Sequence, residues 1–250
     1  MNCIFYCVFN QVKYVDMFLI SLESLIKYGN LDKNTNVLIY TSTLFMNMIK
    51  QNTLFDEEKI KFEINDSFDD ITKACVSRLN FFDLQSSKKY SKILYLDTDI
   101  IVKDDINKVL RLCEKDILYV LEEGVINNEY DYYGRSLFGD ELPEYQDKTA
   151  FTSGILLFKN CEKISELFQK INSDILMRPR HFYCYDQPYI VYNTMICNLY
   201  DNQILKDFVV NNDANVHSNK IIHHFPGITG VYQHKITIMT DFLNQLRMIR

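Results

Sequence analysis

Apolar residues along this chain gather into short runs, and the stretches between them carry a helical period. Residues 3–9 (CIFYCVF) are apolar throughout, 93–96 (ILYL) form a second unbroken run, and 36–40 (NVLIY) and the alternating 60–64 (IKFEI) read as further short strands. Unbroken runs of this length predict strands covered on both faces. Between them, residues 14–28 place Phe18, Leu22, Leu25 and Ile26 on one stripe and close on Gly29-Asn30, the signature of an amphipathic helix. Residues 44–51 and 71–84 read as two more helices. Strand and helix thus alternate, so the expected fold is α/β with a mostly parallel central sheet and helices on both faces. Ligands of such sheets bind at the carboxyl ends of the strands.

Beyond residue 105 the alternation loosens. The pattern predicts a helix over 106–113, a strand over 117–121, a strand over 154–158, a helix over 161–171, a helical segment over 186–193, a strand over 220–224 and a C-terminal helix over 237–248. Residues 123–149 read as a long polar loop rich in Tyr, Asp and Glu, and a loop of that length is expected to serve as a lid or binding loop.

One interruption asks for an explanation. In SKILYLDTDIIVKDD the apolar run of 93–96 breaks into Asp97-Thr98-Asp99 and resumes at once with Ile100, Ile101 and Val102. Residues two apart in extended chain face the same side, so the two carboxylates lie together where a strand leaves the core. Desolvating such a pair without a counter-charge costs several kcal/mol, and a cation between them is expected. This is the only Asp-x-Asp in the chain, and roughly one arises by chance at this composition, so its placement carries the weight. Hard carboxylate oxygens suit Mg²⁺ or Mn²⁺ completed by phosphate and water. Of five histidines, His223 and His224 end another apolar stretch, and alternation turns one imidazole toward the strand-end crevice and the other away. A nitrogen ligand shifts the expectation toward Mn²⁺.

Composition narrows the class. With 47% hydrophobic and 24% charged residues the chain is of globular type, its 250 residues fit one large domain or two small lobes, and seven Gly and four Pro leave little room for disordered linkers. A net charge of −6 with no basic stripe argues against a nucleic-acid partner. Seven scattered cysteines without a CxxC pair suit a reducing compartment. No apolar stretch reaches the roughly 18 residues of a membrane span, and the first residues lack a basic leader, so a cytoplasmic protein is expected.

Five segments in order along the chain now carry a resemblance: CIFYCVFNQVKYVDMFLISLESL; Arg78-Leu79; YSKILYLDTDIIVKDDI; TSGILLF followed by CYDQPYIVYN; and HHFPG. Together they resemble glycosyltransferase family 8, enzymes of the GT-A fold. The resemblance implies one Rossmann-like domain over 1–250 with a smaller acceptor-side subregion, residues 1–105 holding nucleotide and 106–250 holding sugar and acceptor. It implies Mn²⁺, with Mg²⁺ as the alternative, on Asp97, Asp99 and His224, since the family pattern of His, aromatic, any residue, Gly matches His224-Phe225-Pro226-Gly227. A UDP-sugar is then the donor, with Asn10 and Tyr14 at the base, Arg78 at its phosphate or sugar, Thr98 among the donor-binding residues, and Thr152, Ser153, Gly154 and Glu122 around the sugar. Gly227 and Gly230 fall in the phosphate-binding segment, and Asp186-Gln187 matches the pair beside the reacting carbon. The partners implied are a nucleotide-sugar and a glycan or protein hydroxyl acceptor, and a homodimer is compatible with them. Two departures stand out: Thr152 where Asn is common, and Ile228-Thr229-Gly230-Val231-Tyr232 in place of a Lys-Pro-Trp segment, leaving Lys235 or backbone amides near Gly230 to face the diphosphate. Two other readings compete, a non-catalytic nucleotide-sugar or glycan binder and a metal-dependent phosphohydrolase.

Overall fold

A computed structural model describes residues 1–227 and 232–249. Seven strands form the main sheet in the order β3-β2-β1-β4-β7-β6-β8. They are β1 (Asn2–Val8), β2 (Thr35–Thr41), β3 (Ile60–Ile64), β4 (Lys92–Leu96), β6 (Leu118–Val125), β7 (Thr149–Lys159) and β8 (Tyr200–Asp201). β7 alone runs against its neighbours β4 and β6, and the other pairings are parallel, so the sheet is mostly parallel as its sequence pattern predicts. The unbroken apolar runs are covered on both sides. Cys3, Phe5, Ile93 and Tyr95 join one core with Phe81, Phe158 and Phe168, while Ile4, Tyr6, Leu94 and Leu96 join another with Phe18 and Leu22.

Helices α1 (Val12–Tyr28), α2 (Thr43–Lys50), α3 (Ile71–Val76), α4 (Asn107–Arg111), α5 (Leu142–Tyr145), α6 (Glu162–Met177), α7 (Gln187–Ile196) and α8 (Tyr232–Ile249) complete the layers. None is long and apolar enough to cross a membrane among the described residues.

The apolar run after Asp99 does not continue the main sheet. It forms β5 (Ile100–Val102), the edge of a second sheet in the order β5-β10-β9, with β9 (Val209–Asn211) and β10 (Ile222–His224). This sheet rests on α8 through Ile101, Phe225, Met239 and Phe242. Asp97-Thr98-Asp99 is therefore a crossing between sheets: Asp97 N–H donates to Gly154 O of β7 at 2.9 Å, and Asp99 O accepts from Phe225 N–H at 3.0 Å.

Two segments differ from their sequence pattern. The helix predicted over 71–84 is α3, capped by Asp70 accepting from Lys73 N–H, followed by a tighter 3-10 turn over Ser77–Asp83. Ser77 Oγ–H donates to Ala74 O, and within the turn Phe81 and Phe82 pack edge-on. The segment 123–149 is not one open loop. It contains the end of β6, two 3-10 turns and α5, held by buried Ile126, Tyr133, Leu137 and Phe138.

Candidate functional site

The crossing between the sheets carries the charged residues. One oxygen or nitrogen from each of Asp97, Asp99 and His224 lies within 4.8 Å of the others, a set that could hold a metal ion. His224 ends β10, and register pairs it with Ile100, just past Asp99. Its Nε2 is 3.4 Å from Asp99 Oδ1, a buried oxygen with no hydrogen-bond partner. Two carboxylates, one imidazole and an orphaned buried oxygen fit a divalent ion. His223 faces the other way, with Nδ1 2.7 Å from Asp213 O and its ring against Phe242, as alternation requires.

The imidazole is oriented from behind. Asn211 of β9 donates from Nδ2 to Glu123 Oε1 at 3.0 Å, which turns its Oδ1 toward His224 Nδ1 at 2.9 Å. When neutral, His224 then carries its proton on Nδ1 and presents Nε2 as a lone pair; only when protonated does it pair with Asp99 as a cation. Burial pushes the Glu123 carboxyl above its usual range, opposed by His224, Tyr133 and Asn211. Lys235 of α8 reaches Asp99 Oδ2 at 2.7 Å. Burial alone would raise the Asp99 pKa, but Lys235 and His224 outweigh it and hold this carboxyl well below the usual range.

Arg78 is only 8% exposed, following Ile71, Ala74 and Cys75 on the face that lines the site. Its Nη1 donates to Asp97 Oδ1 at 3.1 Å and to Ser153 O at 2.7 Å, its Nε to Cys75 O at 3.1 Å, and its plane lies 4.8 Å from the Tyr95 ring. Tyr95 O–H also donates to Asp97 Oδ1. Nε is 3.0 Å from Asp186 Oδ2, yet its hydrogen points at Cys75, so this oxygen has an ion-pair partner and no hydrogen bond. Burial accordingly pushes Asp186 up to about 6, with Asp97 adding to the rise and Arg78 opposing it. The preceding Tyr185 sits at φ 48°, a left-handed conformation that a bulky side chain rarely adopts and that is concentrated at working sites. Gln187, at the start of α7, accepts from Ser153 N–H at 2.9 Å and donates to Tyr132 O at 3.3 Å.

Two adjoining depressions share Cys75, Arg78, Asp97, Asp99 and Lys235 as a common wall. The smaller, about 150 Å³, is closed by Phe9, Tyr14 and Thr98. The larger, about 550 Å³, is lined by Glu123, Thr152, Ser153, Gly154, Asp186, Gln187, His224 and Gly227, with Tyr132 and Tyr183 at its side. Gly154 permits the contact between sheets, since a Cβ there would meet His224 Nε2 at 2.7 Å and Asp97 Oδ2 at 2.9 Å.

Some sequence expectations need correction. Glu122 faces out of the cavity, toward Gln203 and Lys206, because successive strand residues face opposite ways, and Glu123 takes the inward position. Asn10 supplies the turn between β1 and α1 at φ 76°, and Phe9 rather than Asn10 joins Tyr14 in the wall. Gly230 lies outside the described residues. Asn211 escaped notice because β9 is only three residues long and its apolar pair too short to read as a strand.

A search of curated proteins finds no match. Among solved structures, a galactosyltransferase, LgtC, crystallised with donor and acceptor sugar analogues, is similar at TM-score 0.64 and 13% identity over 96% of each chain. Mouse xyloside xylosyltransferase 1 is similar at TM-score 0.60 and 13% identity, covering 92% of this chain and 99% of that one. WbbM, a bifunctional glycosyltransferase, is similar at TM-score 0.64 and 14% identity; 98% of this chain is covered but only 51% of WbbM, so the chain spans about half that protein's length. At these identities the likeness is one of fold, the GT-A fold. The family model for Glycosyl transferase family 8 matches residues 32–196, and with two thirds of its length matched the chain belongs to glycosyltransferase family 8.

Proposed function

We propose that the protein moves a hexose from UDP-glucose or UDP-galactose to the hydroxyl of a glycan or protein acceptor, with retention of anomeric configuration and with Mn²⁺, or Mg²⁺ in its place, on Asp97, Asp99 and His224. The observation that carries this reading is the meeting of two carboxylates and an imidazole from different sheets around the orphaned Asp99 Oδ1, beside a cavity large enough for a sugar. In that reading residues 1–105 supply most of the nucleotide's wall, with Tyr14 against the base and Thr98 near the phosphates, and residues 106–250 supply the wall of the sugar and acceptor. Bound metal contributes Lewis-acid stabilisation of the charge that develops on the leaving diphosphate, worth several kcal/mol of barrier.

The chain's own residues do the rest. Arg78 and Tyr95 hold Asp97 by Oδ1, which leaves Oδ2 on the side of Gly154 and His224. Lys235, between the two depressions, takes the place of the family's Lys beside the diphosphate. Thr152, Ser153 and Gly154 wall the sugar, and Gln187 fixes that wall through Ser153. As the bond from the anomeric carbon to the diphosphate oxygen breaks, the acceptor oxygen bonds to the same face and its proton passes to the departing diphosphate. Asp186 is 2% exposed and paired with Arg78, an arrangement that suits stabilising positive charge on the sugar better than attacking it. Incubation with Mn²⁺ and a panel of UDP-sugars tests the reading: metal-dependent release of UDP with free sugar supports it, UMP indicates a phosphohydrolase, and binding without release indicates a binding protein.

Two further expectations follow from the site. Asn211→Ala removes the partner that sets the His224 tautomer, and Mn²⁺ affinity measured by electron paramagnetic resonance falls about 10-fold to 100-fold. An unchanged affinity contradicts the relay. The second concerns pH. Asp186 has a folded pKa of about 6 against an ordinary value of 3.8, so its contribution to stability is fully present below the ordinary value and is lost as pH rises through about 6. In chelator, urea midpoints of wild type and Asp186→Asn should therefore diverge as pH rises from below 3.8 to above about 6, wild type losing on the order of 3 kcal/mol relative to the variant over that whole span. Parallel pH profiles would contradict this.

A further inference from the structure

Three tyrosines from two separate loops meet at the side of the larger cavity. Tyr130 stacks on Tyr132 with ring centres 5.4 Å apart and planes at 21°, and Tyr132 meets Tyr183 at 5.6 Å and 51°. Burial does not explain them, for Tyr130 is 63% and Tyr183 79% exposed. Exposed apolar rings gathered in one patch mark an interaction surface more often than scattered ones do. The patch is anchored only at its base. Tyr132 rests edge-on against Tyr133, itself 7% exposed, and Tyr132 O accepts from Gln187 Nε2. The loops are preset: Asn128 Oδ1 accepts from Tyr130 N–H at 3.0 Å, and Arg180 N–H donates to Tyr189 Oη at 2.8 Å. Such rings bind without first being ordered.

Resting on the transferase reading, we propose that Tyr130, Tyr132 and Tyr183 form the acceptor platform and that the acceptor is an oligosaccharide, its pyranose rings laid on the tyrosine faces. A pyranose presents C–H groups on its face and hydroxyls around its rim, so an aromatic ring takes the face while polar neighbours take the rim. Glu129, next to Tyr130 in sequence, and Arg180 and His181, shortly before Tyr183, are exposed polar residues of the same two loops that could supply that rim. The faces open to a sugar are the outer face of the Tyr130–Tyr132 stack and the ring of Tyr183, tilted at 51° to Tyr132. A peptide acceptor would be gripped through its backbone by a strand edge or a groove, whereas these loops offer ring faces. Through the Tyr132 carbonyl the platform is tied to Gln187, so a sugar on it lies next to Asp186-Gln187.

Binding to printed glycan and peptide arrays in the presence of Mn²⁺ and UDP tests this, with calorimetry of Mn²⁺–UDP binding run beside it. Wild type is expected to retain a set of oligosaccharides. Tyr130→Ala and Tyr183→Ala should each weaken that retention about tenfold, while Tyr183→Phe, which keeps the ring, stays within about twofold. Variants that keep wild-type glycan retention, a wild type that binds Mn²⁺–UDP but no glycan, or binding to peptides alone would overturn the platform. Failure of wild type to bind Mn²⁺–UDP would instead overturn the transferase reading.

Discussion

Arg78→Met is expected to cost the fold about 3–5 kcal/mol, the largest stability loss we expect from one substitution in the site. Arg78 is the cation between Asp97 and Asp186, and it also satisfies the carbonyls of Ser153 and Cys75. Removing it leaves the 2%-exposed Asp186 facing Asp97 with nothing positive between them. Asp186 would then bind a proton more readily, so the loss should shrink as pH falls. Arg78→Lys keeps the charge but cannot span four acceptors, and an intermediate loss is expected. If Arg78→Met does not fold, adding Asp186→Asn should recover part of the stability by removing one unpaired carboxylate. The measurement is chemical unfolding in chelator at two pH values. A loss under about 1 kcal/mol would mean that Arg78 is an ordinary surface cation after all.

Gly154→Ala should cost the fold less than Arg78→Met and damage the site more. Gly154 does not adopt the left-handed conformation, so alanine suits its backbone, and only the space for a methyl group is missing. That methyl would fall 2.5 Å from His224 Cε1, 2.7 Å from its Nε2 and 2.9 Å from Asp97 Oδ2. The ring cannot swing aside, being 1% exposed and held at Nδ1 by Asn211. Displacing a ligand by about 1 Å costs on the order of 100-fold, so Mn²⁺ affinity and donor turnover should fall by that factor or more. Overpacking at one point should cost the fold about 1–3 kcal/mol. Metal titration together with thermal melting separates the two effects, and wild-type metal affinity in Gly154→Ala would show that the sheets do not hold the trio together there.

Much of this was legible before any coordinates. The run of CIFYCVF and ILYL gives two strands buried on both sides, and the break at Asp97-Thr98-Asp99 marks where chain and solvent meet. Periodicity could not reveal that the break carries the chain from one sheet to another, because Ile100, Ile101 and Val102 look the same as the end of any buried strand. The burial of Arg78 was equally hidden, since the carboxylates it meets, Asp97 and Asp186, lie far from it along the chain. Glu122 and Glu123 are adjacent and chemically alike, and the bulged pairing of β6 with β7 decides which one faces the cavity. Asn211 and Glu123 act only through His224, at distances along the chain that no local pattern spans.

The most direct measurement is manganese-edge anomalous diffraction from crystals soaked in Mn²⁺ and UDP. One strong peak is expected within bonding distance of an oxygen of Asp97, an oxygen of Asp99 and Nε2 of His224, and it should vanish in the Asp97→Asn, Asp99→Asn variant. A peak elsewhere on the protein, or none between these three side chains while UDP is bound, would contradict the assignment of the metal centre.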